Sequence, residues 1–304
     1  MSFEAVEDIC KAYAKRLTWQ WVVFIAMVLI LMIICFASGQ VESTLMLSIY
    51  GFFAACIYFI VMTFANRKIQ QQYRRTYKAY FVEQNLKKTF TDLSYDHAAG
   101  ISSALLDSTG MVYTGNRYSS NDFTSGKYKD VAFSQADVHI ETEYTDSDGD
   151  THYTTIFRGR FMIFEFPKQF NFKLEIVGKR FRAYRKPGTD SKTGHRTEKI
   201  TTESSEFNSM FRVYGQDGFE AYYILDPAFM VKLMNIATIH KNKVLFAFFE
   251  NRLIVGLDDG KDSFEPPFPM KTIDEAAESA KIAADIKTIT DFVDQLSLAR
   301  KLFK

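Results

Sequence analysis

The stretch "MTFANRKIQQQYRRTYKAYF" (62–81) marks the place where an apolar part of the chain ends and a charged part begins. Between Arg16 and Arg67 the only charged side chain is Glu42. From Arg67 to the end of the quoted stretch, five of the fifteen residues are Lys or Arg. Such a boundary is typical of a chain that leaves a membrane, and it predicts different environments for its two sides.

Two segments without charged residues, 17–41 and 43–66, flank Glu42. Each is longer than the roughly 20 apolar residues that a helix needs to cross about 30 Å of hydrocarbon. Buried core helices are rarely apolar on every face, and the first segment is longer than the apolar region of a cleaved signal peptide. We therefore predict a transmembrane helical hairpin within 18–66, with helices at about 19–37 and 45–65.

The distribution of Lys and Arg predicts the orientation of this hairpin. The linker at about 38–44 contains neither residue, whereas the leader at 1–17 contains Lys11, Lys15 and Arg16. Basic segments stay on the cytoplasmic side, so we expect both termini in the cytoplasm and the linker outside. Apolar residues three or four apart predict that the leader is an amphipathic helix in the cytoplasm.

The remainder divides into a basic juxtamembrane helix at 67–92 and a cytoplasmic domain at 93–304. Alternation of apolar and polar residues predicts β-strands in this domain. The predicted strands lie at 130–144, with a bulge near Ala136, and at 151–166, 172–177, 210–215 and 220–225. We also expect a turn at 145–150 and a tight hairpin at Glu250–Asn251. The absence of βαβ alternation from the sequence indicates an α+β domain with a mainly antiparallel sheet.

Two helices of this domain are predicted from their N-terminal signals. Asp226 precedes Pro227, which is the favoured order of an N-cap and a first helical residue. Thr272 and Glu275 have the spacing of a capping box and open a long C-terminal helix. The apolar stripe of that helix contains Ile282, Ile286, Ile289, Val293, Leu296 and Phe303. We expect this stripe to pack on the rest of the domain.

The acidic turn and the histidines are the candidates for a metal site. Asp146, Asp148 and Asp150 resemble a calcium loop, but the twelfth position is not Glu and the flanking segments read as strands. His139 and His152 are placed to face each other across the hairpin that ends in this turn. The sequence contains no helical histidine pair and no phosphate-binding or nucleophile motif. We therefore predict a solvated turn, and no catalytic residue, metal ion or cofactor.

Nine basic residues are the candidate contacts for anionic lipid headgroups or an acidic partner. Four follow the second membrane helix, and five lie in a basic stretch near the middle of the chain. They are Arg67, Lys68, Arg74, Arg75, Lys179, Arg180, Arg182, Arg185 and Lys186. The anionic inner leaflet attracts each nearby basic residue by about 1 kcal/mol. We interpret 179–199 first as a solvated loop and second as a lipid or partner contact, and we expect no nucleic acid.

Six stretches, in this order after two membrane helices, resemble the bacterial membrane-protein family catalogued as domain of unknown function 3137. They are "YDHAAGIS" (95–102), "SGKYKDVAFSQADVH" (125–139), "FRGRFMIFEFPKQF" (157–170), "FRVYGQDGFEAYYILDPAFM" (211–230), "FFENRLIVGL" (248–257) and "FEPP" (264–267). The resemblance covers nearly the whole chain. It implies a multi-pass protein of the bacterial inner membrane and hints at LemA-type membrane proteins as partners, but it supplies no catalytic residues.

These observations favour a membrane-anchored cytoplasmic binding or scaffold module that contacts protein partners and anionic lipid. The alternative is an unrecognised enzyme or ligand sensor in the cytoplasmic domain. A cleft with converging polar groups would favour this enzyme or ligand sensor, whereas a flat sheet face with exposed aromatic residues would favour the binding or scaffold module.

Overall fold

The computed structural model describes residues 2–38, 41–185, 197–216, 218–270 and 272–296. The chain forms two compact units. The first contains Met1–Gln84 and Glu265–Ala280, and the second contains Asn85–Phe264 and Lys281–Lys304. The first unit is helical, and the second is built on a β-sheet.

Two long helices, α1 (Phe3–Ser38) and α2 (Val41–Tyr77), form most of the first unit. Helix α2 continues through a π-helical turn (Lys78–Val82) into α3 (Glu83–Thr89). Both helical stretches are long and apolar enough to cross a membrane, judged by length and composition. Both helices continue without a break, because neither contains a proline, which would remove a backbone hydrogen bond.

Helices α1 and α2 pack against each other in opposite directions. The Tyr58 hydroxyl of α2 donates to the Gln20 carbonyl oxygen of α1 at 3.1 Å. Further along, a Cβ atom added at Gly51 would lie 2.1 Å from Cδ2 of Leu31. The missing side chain at Gly51 therefore leaves the space that Leu31 fills, and the two helices approach closely there.

The second unit contains a seven-stranded sheet in its described residues, and every strand pair in it is antiparallel. The strands are β1 (Thr91–Asp96), β2 (Arg117–Tyr128), β3 (Val131–Thr145), β4 (Thr151–Gly178), β5 (Glu198–Ile200), β6 (Phe211–Gly215) and β7 (Val244–Leu257). Their order is β1-β2-β3-β4-β6-β5, and β7 pairs separately with β4. The predicted α+β class with a mainly antiparallel sheet is confirmed.

Strand β4 is the centre of the sheet and runs for 28 residues. The two strands predicted at 151–166 and 172–177 are therefore one strand. The polar residues between them do not reverse the chain. They produce a shift in the pairing with β7, from Glu165 opposite Arg252 to Phe170 opposite Glu250.

The tight hairpin predicted at Glu250–Asn251 is wrong, because β7 passes through these residues as one strand. Glu250 has a positive φ of 54°, which a hairpin turn also requires. Here the positive φ instead accommodates the register shift against β4. The long partner strand accepts both apolar halves of β7 on the same edge, so the local turn signal is overridden.

The strand predicted at 220–225 is also wrong, because Gly218–Ile224 forms a helix, α6 in the order given below. Ala221, Ile224 and Leu225 are buried, whereas Tyr222 and Tyr223 are 47% and 58% exposed. Buried residues at i, i+3 and i+4 follow the period of a helix rather than that of a strand. The apolar run is too short for its periodicity to distinguish a helix from a strand.

The helices of the second unit are α4 (Ser103–Ser108), α5 (Ser205–Met210), α6, α7 (Pro227–Ile239) and the greater part of α8 (Glu275–Leu296). Helix α7 begins as predicted, since the Asp226 carboxylate accepts a hydrogen bond from the Phe229 amide at 2.7 Å. The capping box predicted for α8 is wrong. Asp274, rather than Thr272, accepts from the Ala277 amide, at 3.0 Å, because the helix starts two residues later.

The apolar stripe of α8 is buried as predicted. Ile282, Ile286, Ile289, Val293 and Leu296 are all less than 5% exposed, and Phe292 is buried beside them. The Phe292 ring lies 6.3 Å from the ring of Phe246 in β7, which places the stripe against the sheet. Phe303, the last residue of the predicted stripe, lies outside the described residues.

A β-bulge lies opposite Ala136, where the sequence predicts one, but the extra residue belongs to β2 rather than to β3. Asn121 pairs with Asp137 and Thr124 pairs with Gln135, so two residues of β2 face Ala136. One of them, Asp122, has a positive φ of 58°. The bulge turns Asp137 inward, where it is 4% exposed.

A buried arginine connects the centre of the sheet to α8. Arg160 of β4 is 3% exposed, and its guanidinium donates to the Asp285 carbonyl oxygen at 2.8 Å and to the Ser263 hydroxyl. Its Nε lies 3.8 Å from Oδ1 of Asp137, whose Oδ2 accepts from the Ser263 amide at 2.8 Å. Burial raises the pKa of Asp137 to about 7, although the nearby Arg160 charge acts in the opposite direction.

Candidate functional site

Most of the nine predicted contact residues are exposed in the structure. Those at the end of α2 are Arg67, Lys68 and Arg75, and those after β4 are Lys179, Arg180, Arg182 and Arg185. Arg74 is less exposed than these, and Lys186 lies outside the described residues. The structure therefore places seven of the nine where a partner can reach them.

Arg74 is already engaged within the first unit. Its Nη2 lies 2.5 Å from Oε1 of Glu265, and the buried Lys78 contacts the same carboxylate oxygen at 2.7 Å. Burial raises the pKa of Glu265, but the hydrogen bonds and charges of Lys78 and Arg74 outweigh it and lower the pKa overall. Arg74 is thus less suited to a lipid contact than its neighbour Arg75.

The basic residues after β4 lie on a fixed backbone, at least up to Arg185. The Arg180 amide donates to the Asn242 carbonyl oxygen at 3.2 Å, and the Arg185 amide donates to the Met111 carbonyl oxygen at 2.9 Å. Phe181 is buried between these anchors. The described part of the stretch predicted as a solvated loop is therefore a structured segment that presents its arginines outward.

Two of these arginines line one open pocket of the second unit. Its volume is about 490 Å³, and its lining residues are Tyr113, Thr154, Thr155, Ile156, Arg182, Tyr184 and Arg185. We call these seven residues the arginine–tyrosine pocket. They come from three places in the chain, namely the segment before β2, the first part of β4 and the segment after β4.

Local backbone structure brings these three segments together. The Tyr113 amide donates to the Ala183 carbonyl oxygen at 2.8 Å, and Val112 forms an isolated β-bridge with Tyr184. On the opposite wall, the pairing of β3 and β4 shifts so that Ile156 is an extra residue in β4. Such a bulge changes the direction of neighbouring side chains, and here it lies at Thr155 and Ile156.

The arginines of the pocket keep hydrogen-bond donors for a ligand. Arg182 Nε lies 3.5 Å from Oδ2 of the buried Asp258, and Arg185 Nη2 lies 3.9 Å from Oδ1 of Asp107. Both distances exceed the roughly 2.7–2.9 Å of a charge-assisted hydrogen bond. Both arginine side chains are about half exposed. They are therefore oriented by weak ion pairs without being saturated by them.

One lining residue of the pocket, Tyr184, is held in place by a buried carboxylate. The Tyr184 hydroxyl donates to Oε2 of Glu175 at 2.5 Å, and Lys173 Nζ lies 2.9 Å from Oε1 of the same residue. Glu175 is 1% exposed. Burial, and then the Glu175 charge, raise the pKa of Tyr184, so its hydroxyl stays protonated and keeps donating. The Tyr184 ring also stacks on Tyr214, with 5.6 Å between the ring centroids.

The acidic turn is organised by its own hydrogen bonds. Oδ1 of Asp146 accepts from the amides of Asp148 and Asp150 at 3.0 and 2.9 Å, and Oδ2 lies 2.7 Å from Nε2 of His152. The bond to His152, followed by those to the amides, lowers the pKa of Asp146. The turn predicted at 145–150 is confirmed, and Asp146 acts within it as a structural acceptor.

The prediction that His139 and His152 face each other is wrong. His139 pairs with Arg158, and His152 pairs with Tyr144, whose ring it stacks against at 5.2 Å. The two histidines therefore lie at different positions along the paired strands, because Tyr144, the partner of His152, is five positions after His139 in β3. The register of the hairpin, which the turn length sets, could not be read from the histidine positions alone.

A comparison with protein families finds a match in the second half of the chain. Residues 155–298 match the family described as "Protein of unknown function (DUF3137)". The matched residues include five of the seven residues of the arginine–tyrosine pocket, and Tyr113 and Thr154 precede them. Helices α1 and α2 also precede the matched residues.

Among solved structures, this chain is similar to the crystal structure of the mycobacterial trehalose monomycolate transport factor A, TtfA. The sequence identity is 9% and the TM-score is 0.38, over 73% of this chain and 94% of that one. A similarity at this level bears on neither the function nor the ligands of this chain. A comparison with curated proteins gives no match.

Sequence reasoning found two members of the pocket and missed five. Arg182 and Arg185 were found because clustered charge is visible in the sequence. Tyr113 and the Thr154–Ile156 segment were missed because their place depends on strand register. The run of Thr and Ile at 154–156, which interrupts the alternation of β4, was the available signal.

Proposed function

We propose that this chain is a membrane-anchored module that binds anionic lipid headgroups at the cytoplasmic face of a membrane. The anchor is the pair α1 and α2, and the binding site is the arginine–tyrosine pocket. The observation that carries the proposal is the convergence of Arg182 and Arg185 with hydroxyl and aromatic groups in one open pocket. A cleft of this kind favours ligand binding over a flat scaffold surface.

The exposure of apolar side chains supports the anchor. On α1, Ile33 is 67% exposed and Phe36 is 93% exposed, and on α2 Phe52 is 66% exposed. Soluble proteins rarely present contiguous apolar surface of this extent to water. A lipid environment removes this cost, because hydrocarbon chains solvate apolar side chains.

The chemistry of the pocket supports an anionic group. Guanidinium groups bind phosphate and carboxylate through paired N–H donors, and the Thr154 and Thr155 hydroxyls can add further donors. Tyr113 is 41% exposed, and the Arg185 guanidinium lies 6.0 Å from its ring. This aromatic surface offers an apolar contact beside the charged one, which matches the glycerol region of a phospholipid.

The site is tested by counting bound lipid with native mass spectrometry on the full chain in a neutral detergent. We expect phosphatidylglycerol to bind more tightly than phosphatidylcholine. Replacing both Arg182 and Arg185 with Gln removes two charges at about 1 kcal/mol each, so phosphatidylglycerol in the pocket should bind about 30-fold more weakly. Lipid held by Arg67, Lys68 and Arg75 should remain.

The matched control replaces Arg158 and Arg252, which lie outside the pocket and pair with Asp262 and Glu165. Their double Gln variant removes the same charge and should bind phosphatidylglycerol within about threefold of the unchanged chain. Equal binding of the two lipids by the unchanged chain would contradict the lipid proposal and leave an acidic protein partner. Equal losses in both variants would show that only net charge matters.

The proposed orientation is tested by cysteine labelling in intact bacterial cells. In a background without the native cysteines, Ser43→Cys in the first turn of α2 should react with an impermeant maleimide, because this end of the hairpin is proposed to lie outside. Ser119→Cys, at an exposed position of β2, should react only after the membrane is permeabilised. The reverse pattern would mean that the chain is inserted the other way round.

A further inference from the structure

Helices α1 and α2 line a partly open cavity that the proposed function does not use. Its volume is about 300 Å³. It lies between the part of α1 that includes Gln20 and Trp21 and the part of α2 that includes Phe59, Met62 and Asn66. The charged residues nearest in the chain are Arg16 and Arg67, which end the two charge-free segments. In a membrane-inserted chain the cavity is therefore at the depth of the lipid headgroups.

Two polar atoms of the cavity have no hydrogen-bond partner among the described residues. They are Nε2 of Gln20 and Oδ1 of Asn66. Asn66 is only 6% exposed, so bulk water does not solvate it. Buried polar groups in native proteins are paired in the great majority of cases, and a bound molecule is one explanation of an exception. Both residues line the cavity, so a molecule inside it is within their reach.

The lining restricts the chemistry of that molecule. One amide atom is a donor and the other an acceptor, and a hydroxyl group can satisfy both at once. A hydroxyl also satisfies them if either amide is rotated, because it donates and accepts equally well. None of the described residues that line the cavity is charged, which disfavours a charged headgroup. Trp21, Phe59 and Met62 supply an apolar wall that suits an acyl chain.

We propose that this cavity binds an uncharged lipid with a free hydroxyl, of the diacylglycerol class. The hydroxyl donates to Oδ1 of Asn66 and accepts from Nε2 of Gln20, and the acyl chains extend along α1 and α2. The proposal rests on the membrane anchoring proposed above. It assigns the helical hairpin a ligand of its own, chemically distinct from the anionic group proposed for the arginine–tyrosine pocket.

The test uses the fluorescence of Trp21, which lines the cavity. The full chain carrying Trp19→Phe, so that Trp21 is the sole tryptophan, is placed in phosphatidylcholine nanodiscs. Diacylglycerol or phosphatidylcholine with brominated acyl chains is then added at matched mole fractions, because bromine quenches a tryptophan that it contacts. We expect half-maximal quenching by the diacylglycerol at about a tenfold lower mole fraction, as for one additional hydrogen bond in an apolar site.

Two variants test the roles of the amides. Asn66→Leu and Gln20→Leu each remove one unpaired polar group, and we expect each to abolish the preference for diacylglycerol while quenching by phosphatidylcholine stays the same. Because replacing an orphaned polar group by an apolar one does not destabilise a fold, both variants should retain the melting temperature. Thr18→Leu, at an exposed position of α1 outside the lining, is the control and should keep the preference.

Three outcomes would overturn the proposal. Equal quenching by the two lipids indicates a cavity that holds only water. A preference that survives in both leucine variants removes the amides from the site. Quenching by brominated triacylglycerol, which lacks the hydroxyl, at the same mole fraction as diacylglycerol indicates acyl-chain binding alone. Failure of membrane anchoring is distinguishable, because then no brominated lipid, including phosphatidylcholine, quenches Trp21.

Discussion

Replacing both Ile286 and Val293 with Asp is expected to unfold the second unit. Both side chains are less than 5% exposed in the apolar stripe of α8. Each substitution places an unpaired carboxylate in an apolar contact, which costs several kcal/mol. Since single domains are stable by only about 5–15 kcal/mol, two such costs together approach or exceed the whole free energy of unfolding.

Hydrogen exchange of the full chain, read by mass spectrometry, is the measurement that resolves this effect. Amides of β4 and β7 should lose their protection in the double variant, while those of α1 and α2 keep theirs. The matched control is the double variant Ala283→Asp with Ala284→Asp, which adds the same charges to exposed positions of the same helix. It should change the free energy of unfolding by less than about 1 kcal/mol. Unchanged protection of β4 in the stripe variant would show that α8 is not needed for the sheet.

Replacing Arg160 with Met should destabilise the second unit by about 3–5 kcal/mol at pH 8. The substitution removes the bonds to the Asp285 carbonyl oxygen and the Ser263 hydroxyl. It also leaves the buried carboxylate of Asp137 without the neighbouring positive charge. Arg158 is two residues away in the same strand, but its side chain is 49% exposed and 3.9 Å from Asp262. Arg158→Met should therefore cost less than about 1 kcal/mol.

The cost of Arg160→Met should also grow with pH, and the pKa of Asp137 explains the sign. Burial raises this pKa from 3.8 to about 7, so the contribution of the neutral carboxyl to stability is complete below pH 4 and is lost as the pH rises to 7. Arg160 lowers the pKa, so its removal raises the pKa further and extends the loss above pH 7. The difference between the two chains should thus be larger at pH 8 than at pH 5.

Chemical denaturation of the full chain at pH 5 and pH 8, followed by the fluorescence of a probe in the sheet, measures this difference. The double variant Arg160→Met with Asp137→Asn lacks the Asp137 carboxyl but keeps Asp285, whose Oδ1 lies 4.0 Å from the guanidinium that the substitution removes. Its loss of stability should differ less between the two pH values than that of the single variant. A pH-independent cost in the single variant would mean that Asp137 does not titrate in this range. A cost below 1 kcal/mol at both pH values would show that the buried arginine is not required for stability.

The parts of the fold that the sequence predicts correctly depend on residues close together in the chain. The cap at Asp226 acts within one helical turn, and the stripe of α8 recurs every three or four residues from Ile282 to Leu296, so each is visible locally. The two membrane-length helices are equally local, because composition alone defines them. Two of the errors have different causes. The Glu250 turn signal is overridden by β4, and the strand pattern at 220–225 is too short to exclude a helix.

The candidate sites divide in the same way. Arg182 and Arg185 are visible as clustered charge, but their companion Tyr113 is about 70 residues away and joins them through its own hydrogen bond to Ala183 and the β-bridge of its neighbour Val112. The pairing of Arg74 with Glu265 spans 191 residues. The unpaired amides of Gln20 and Asn66 are equally hidden, because burial and the lack of a partner are properties of the packed helices. Charge and composition therefore identify some residues of a candidate site, whereas strand register and helix packing determine which residues lie close together.

The length of β4 has a consequence for how the chain is synthesised. The edge of β4 that pairs with β7 is not fully paired until residue 257 has been synthesised, which is 79 residues after β4 ends at Gly178. At a translation rate of roughly 5–20 residues per second, this edge stays unpaired for about 4–16 s on every nascent chain. An unpaired apolar edge is a template for aggregation, so this interval is the period in which the growing chain most needs protection by a chaperone.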